Sequence, residues 1–353
     1  QATYPALTPH RIHVVSWQGG IMDRTFVVDG DSGKMLGMVP NAYNSVLRIG
    51  PEGDFYSSDT YYDKMWRGTR TDQITVMDHA TGVVTREIPL APIRFQAFTL
   101  NPSFDFTEGG RYLLQYNMTP AGSVTIVDPK SGATLATVPS AGCALVFPSG
   151  PMSFAMLCAD GGLLRVSFND KGETQTEQVK PFFDAENDPL MQNGLAIPEQ
   201  HLGLFVSYEG LVHELDLAGP ELYKTPPWSL RGAKESGWWP SGWQPMAYNA
   251  ELDRIFIIMR KTKKWDHTAG SNEIWAYDRK SHKRIYKVRL KEEVISIAVS
   301  PDRNAQLYAI SNKKSELYVI DAVQGKLVHE VPDMGNSPIS LLPVPTYALP
   351  AKP

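Results

Sequence analysis

Cysteine, net charge and long apolar runs are all scarce in this chain, and each shortage excludes something. Two cysteines and eight scattered histidines in 353 residues cannot supply the clustered ligands of a structural zinc site. No stretch approaches the roughly 18 apolar residues of a membrane-spanning helix. A formal net charge of −4 gives no electrostatic reason to bind nucleic acid. Sustained 3.6-residue periodicity is missing, which argues against a helical solenoid. Gly-x-Ser-x-Gly, His-Glu-x-x-His and phosphate-loop signatures do not occur. The expectation is a chain with no catalytic residue and no metal site of its own.

What is present is a repeated phrase: a β-type run, a turn-forming cluster, then a second β-type run. Its anchors are Asp29, Asp78, Asp128, Asn169, Asp216, Asp278 and Asp321, spaced by 49, 50, 41, 47, 62 and 43 residues. Alternating apolar and polar residues mark half-buried strands, and Asp-x-x-Gly supplies turn chemistry. Such spacing fits about four short strands per unit, which is the content of a propeller blade. The fold class is therefore all-β, a seven-bladed β-propeller in a single domain over 1–353. Ring closure is expected between an N-terminal strand at Arg11–Ser16 and a C-terminal one at Ile339–Val344, which removes exposed sheet edges. Residues 1–10 and 345–353 are expected to be extended, the latter a loose end or docking arm. A start at Gln1 fits a processed mature chain.

Cys143 and Cys158 flank a strand-like stretch, so a hairpin bridge and two unconnected buried thiols both remain open. A bridge would favour an oxidising compartment. Asp29-x-Asp31-x-Gly33 resembles the start of a calcium loop but lacks the closing Glu, so it reads as a plain turn. Asn117-Met118-Thr119 is a sequon only where glycosylation occurs. Two segments carry more aromatic and arginine residues than a scaffold needs. One is Tyr61 to Asp72, with Tyr62, Trp66, Arg67 and Arg70. The other is Gly237 to Gln244, with Trp238, Trp239 and Trp243. Blade packing and a protein interface both account for such composition. Trp265-Asp266-His267 lies in the longest gap between phrases, which implies a protruding loop.

In these segments the chain resembles the heavy subunits of quinoprotein amine dehydrogenases, the methylamine and aromatic amine enzymes. Arg67-Gly68-Thr69-Arg70-Thr71-Asp72 is similar to their Arg-Gly-x-Arg-(Thr/Ser)-Asp segment. Gly237-Trp238-Trp239-Pro240-Ser241-Gly242-Trp243-Gln244 is similar to Gly-Trp-x-Pro-Gly-Gly-Trp-Gln, with Ser241 in place of a glycine. Leu252-Asp253-Arg254-Ile255, Trp265-Asp266-His267 and Gly37-Met38-Val39-Pro40 match in type and order. Cys143 and Cys158 fall where the family has a disulfide. The likeness runs from about Pro9 to Pro343.

The resemblance implies a periplasmic α2β2 heterotetramer whose small light subunit carries tryptophan tryptophylquinone and the catalytic base. A primary amine is oxidised to aldehyde and ammonia, and electrons leave to a cupredoxin (amicyanin or azurin) or a cytochrome c. This chain would then scaffold the light subunit and line the substrate channel, with Trp17, Gly19 and Met22 at the channel. Here Ser16-Trp17-Gln18-Gly19-Gly20-Ile21-Met22 departs from both branches, so the width of the channel is its own. A competing reading is a non-enzymatic periplasmic interaction platform. A self-contained enzyme with a central metal would need inward Glu, Asn and Asp at the ring axis, and those residues sit mainly at turns.

Overall fold

The computed structural model describes residues 3–17, 22–263 and 266–350. It holds seven antiparallel sheets, six of four strands and one of five. The first strands of successive sheets adjoin one another around an axis, so the sheets radiate as blades. Blade 1 joins the two ends of the chain. Its inner strand is Ser337–Pro343, followed outward by Arg11–Trp17, Met22–Asp29 and Lys34–Ala42. Trp17 pairs with Ser337 and Ile12 with Pro343, so the expected closure forms. Blades 2 to 7 then begin at Val46, Phe104, Cys143, Leu195, Trp238 and Ser296.

The repeated phrase is the third strand, turn and outermost strand of each blade. The anchor side chains cap the turns: Asp78 accepts from Thr81 N at 2.8 Å, Asp128 from Lys130 N at 2.8 Å and Asp321 from Val323 N at 2.8 Å. Asp29 accepts from Asp31 N and Ser32 Oγ, so the calcium-like triplet is a plain turn. Gly33, Gly82, Gly132, Gly172 and Gly325 close their turns at positive φ, where a side chain costs energy. In blade 6 His282 occupies the same place at φ 57°.

Pairing fixes two faces. Arg11 lies opposite Asp29, so the capped turns share one end of the ring, here the lower face. Loops between second and third strands, and the connections between blades, share the upper face. Apolar clusters fill the spaces between blades, for example Trp228, Leu230, Ile257 and Trp275 between blades 5 and 6. The axis encloses a cavity of about 340 Å³ lined in part by Arg48, Asp105, Glu199, Tyr248 and Ile297.

The tail is not a loose end as far as residue 350. Thr346–Ala348 forms a 3-10 turn with Ala348 buried. Tyr347 donates to the Ile49 carbonyl at 3.1 Å and packs edge-on to Phe106, walling the lower cavity. An aromatic ring with apolar neighbours on one side and a carbonyl in reach of its hydroxyl docks there despite the flanking prolines. The sequon asparagine is 1% exposed and its amide donates to Ser123 and Thr125, so it is closed to modification.

Candidate functional site

The segments singled out by composition all fall on the upper face. Strand ends place them there: Trp17 ends the second strand of blade 1, and 62–70 joins two strands of blade 2. In that loop, Asp63 Oδ1 accepts from Thr69 N at 3.0 Å and Lys64 N donates to Arg67 O at 3.1 Å. Met65 at φ 68° and Gly68 at φ 96° tighten the turn. The geometry pushes Trp66 outward until it is 71% exposed, and Arg67 is exposed beside it. An indole left that wet contributes nothing to the core and is a ready contact for another chain.

Beneath the loop lies a buried polar knot. The Asp72 carboxylate accepts from Arg70 Nε and Nη2, each at 2.8 Å, from Thr60 Oγ1 at 2.7 Å and from Arg94 N at 2.9 Å. Arg94 is 2% exposed and donates to Thr60 Oγ1 at 2.6 Å. Burial lowers its pKa to about 10, against the pull of Asp59 and Asp72. Arg70 is thus an internal staple of the loop. Tyr62 is half-buried and accepts from Gln96 Nε2 at 2.9 Å.

The second segment divides the inner strand of blade 6. Trp238–Pro240 pairs with 259–261 and Met246–Asn249 with 254–257, while 241–245 leaves the sheet. Pro240 and Pro245 have no N–H for a ladder, and Gly242 at φ 114° makes the excursion feasible. Trp238 packs on Trp275 with ring centroids 5.2 Å apart. Trp239 donates to the Thr262 carbonyl at 3.1 Å and lies under the Arg231 guanidinium. Both are half-buried, so much of each ring is occupied within the chain.

Trp243 swings toward the axis. Its indole donates to the Thr99 carbonyl at 3.2 Å, and Trp17 donates to Thr99 Oγ1 at 3.0 Å. The two indoles meet edge to face at 6.1 Å, and Phe98, 55% exposed, packs on Trp243. Asn193 Nδ2 donates to Trp243 O at 2.6 Å, and Asn101 N donates to Asn193 Oδ1 at 3.2 Å. Gln244 exchanges two hydrogen bonds with the backbone of Leu341, each at 3.0 Å. Ser340 Oγ sits 2.9 Å from Asn101 Oδ1. This net spans blades 1, 3, 5 and 6 and ties the Trp17–Trp243 cluster across the axis.

Met22 is 40% exposed, and Tyr43, Tyr61 and Met118 add further exposed apolar surface around the same arc of blades 1 to 3. Gly19 and Trp265 lie outside the described residues. Cys143 and Cys158 stand opposite each other in blade 4 and are bonded, with Cα atoms 3.9 Å apart, which decides between the two readings of the pair. Sequence reasoning missed Thr99, Phe98 and Asn193. They sit in blade connections with no motif around them.

Among the described residues, one acid–imidazole group, Asp54, Asp78 and His79, lies close enough to hold an ion, on the lower face. Asp78 is already the cap of its turn and His79 Nδ1 pairs with Asp54 at 3.1 Å.

Comparison with known proteins accords with this geometry. Among solved structures, a periplasmic gluconolactonase from Pseudomonas aeruginosa aligns with a TM-score of 0.65 at 15% identity, covering 94% of this chain and 98% of that one. AztD from Citrobacter koseri aligns at 0.57 and 12% identity over 94% and 96%. At such identities the likeness establishes the propeller fold alone. Sequence relatives are closer. The methylamine dehydrogenase heavy chain of Methylorubrum extorquens is 32% identical over 89% of this chain and 77% of its own length. That of Methylophilus methylotrophus is 28% identical over 96% and 84%. The family profile described as Methylamine dehydrogenase heavy chain (MADH) spans residues 10–344. With that match covering nearly the whole ring, the chain belongs to the methylamine dehydrogenase heavy chain family.

Proposed function

We propose that this chain is the non-catalytic heavy subunit of a periplasmic amine dehydrogenase, paired in an α2β2 complex with a light subunit that carries tryptophan tryptophylquinone. The observation that carries the reading is the family match from residue 10 to 344. The upper face supports it, because exposed Trp66, Met65 and Phe98 form an apolar arc suited to a second chain. The quinone on the light subunit would supply the electrophile and electron sink for oxidising a primary amine, with electrons passed on to a cupredoxin or cytochrome c.

This chain's own part is positional. Trp66 and its neighbours give the partner a hydrophobic anchor, and the Asp72 knot holds their loop in one shape. Trp17, fixed through Thr99 to Trp243, stands where the channel to the partner's cofactor would open and limits the size of the amine. Replacing it with Ala should widen the amine preference, and unchanged relative kcat/KM values across amines of increasing bulk would remove Trp17 from the channel.

Native mass spectrometry with an absorption spectrum tests the whole reading on protein purified from its source. A 2:2 complex with a small chain and a visible band that bleaches on adding a primary amine is the expected result. A colourless propeller without a partner, indifferent to amines, would overturn it in favour of a non-enzymatic binding platform.

A further inference from the structure

Charge is unevenly shared around the ring. Blades 4 and 5 (143–229) hold four Lys and Arg against twelve Asp and Glu, whereas blade 6 (238–294) holds twelve against seven, on a chain of net −4. The excess gathers on one strand. The outermost strand of blade 6, Lys283–Val294, carries Lys283, Arg284, Lys287, Arg289 and Lys291. All five are exposed, while Val288 and Leu290 between the last three point into the core.

Lysines on a sheet edge ordinarily guard against edge-to-edge association. The other six outer strands show how little that requires here, for each carries at most one Lys or Arg. Internal pairing does not account for the five either. Arg284 and Lys287 share Glu235, and Lys287 also reaches Glu273 at 3.9 Å. Lys283, Arg289 and Lys291 have no carboxylate within ion-pair reach among the described residues. Glu273, across from Arg289 in the sheet, is occupied by Trp275 Nε1 at 3.0 Å.

We propose that this cationic outer edge of blade 6 is a docking surface for a protein that presents a row of carboxylates. Side chains two apart on a strand recur about every 7 Å, which sets the spacing of Lys287 and Arg289, and Lys291 extends the cationic row into the bulged stretch before Val294. Complementary charge of this kind chiefly accelerates encounter and fixes register. A long nucleic acid would instead meet repulsion from the acidic blades 4 and 5. The surface lies on the rim, away from the exposed upper-face arc of blades 1 to 3, and does not depend on the amine dehydrogenase reading.

Binding of labelled poly-L-glutamate to the full chain, followed by fluorescence anisotropy at low and at physiological salt, tests the proposal. An R289E/K291E variant should bind about tenfold or more weakly at low salt, and the R289Q/K291Q variant should fall between, while salt erodes the difference. A K34E/K130E variant makes the same change in net charge elsewhere on the ring and should stay within about twofold of the unaltered chain. Circular dichroism checks that each variant is folded. Equal weakening in both double-Glu variants would overturn the proposal, as would DNA duplex binding as tightly as polyglutamate. Self-association in sedimentation that R289E/K291E abolishes would also overturn it, by making a second copy of the chain the occupant.

Discussion

Acid should loosen the ring at its closure, and His13 is the reason. Its imidazole is fully buried in blade 1, with Nδ1 donating to the Leu342 carbonyl at 3.1 Å and the ring edge-on to Phe55 at 5.3 Å. Burial pushes its pKa down from 6.5 to about 4, with Arg11 adding to the effect. The unfolded chain therefore binds a proton at a pH where the folded chain does not, and stability falls as pH drops below the unfolded value. The loss levels off only near the folded pKa. At about pH 5 those two values correspond to roughly 2 kcal/mol relative to neutral pH. His213 is pushed down to about 4 by burial as well, so the unaltered protein should show the sum. A His13→Gln variant keeps a donor for Leu342 but cannot titrate. Urea denaturation of both proteins between about pH 7.5 and 5 isolates the His13 share, because stability follows the free-energy difference directly. The variant should lose about 2 kcal/mol less over that range. Parallel loss in the two proteins would refute the argument.

Three further outcomes follow from the upper face and blade 4. Asp72→Ala strips Arg70 of its ion pair and leaves the Arg94 N–H and the Thr60 hydroxyl without their acceptor, and thermal unfolding should report a loss of about 3 kcal/mol. Trp66→Ala should leave that unfolding transition in place, since the indole is largely in solvent. Calorimetry with the light subunit should nevertheless show about 2 kcal/mol or more of lost affinity. Replacing both Cys143 and Cys158 by Ser removes a short-loop crosslink, and the urea midpoint should fall by the equivalent of about 3 kcal/mol in the chain-entropy treatment.

The blades were legible because each turn repeats a local chemical requirement. Asp78 or Asp128 caps its own backbone within three residues, so the signal sits inside a short window of sequence. The closure strands were visible for a similar reason, as short apolar alternations at both ends. What escaped depends on distance along the chain. Thr99 accepts from Trp17 at its hydroxyl across 82 residues and from Trp243 at its carbonyl across 144, and no local pattern marks such a threonine. Arg70 read as an interface residue by composition, yet its guanidinium is spent on Asp72. The tail read as a loose end or docking arm because of its prolines, while Tyr347, Ala348 and Leu349 pack it onto the chain's own core. The disulfide stayed undecided until pairing placed Cys143 across from Cys158.

The innermost strand of blade 1 is synthesised after every other strand of the described residues. Until Ser337–Pro343 arrives, Arg11–Trp17 presents an unpaired edge toward the axis, and Gln244 has no Leu341 backbone to engage. A chain cut short anywhere before that strand cannot hide its edge, however well its middle blades have formed. Ser340, which anchors Asn101 across the axis, comes with the same strand. The Trp17–Trp243 cluster on the upper face therefore takes its finished shape only once that strand has closed the ring.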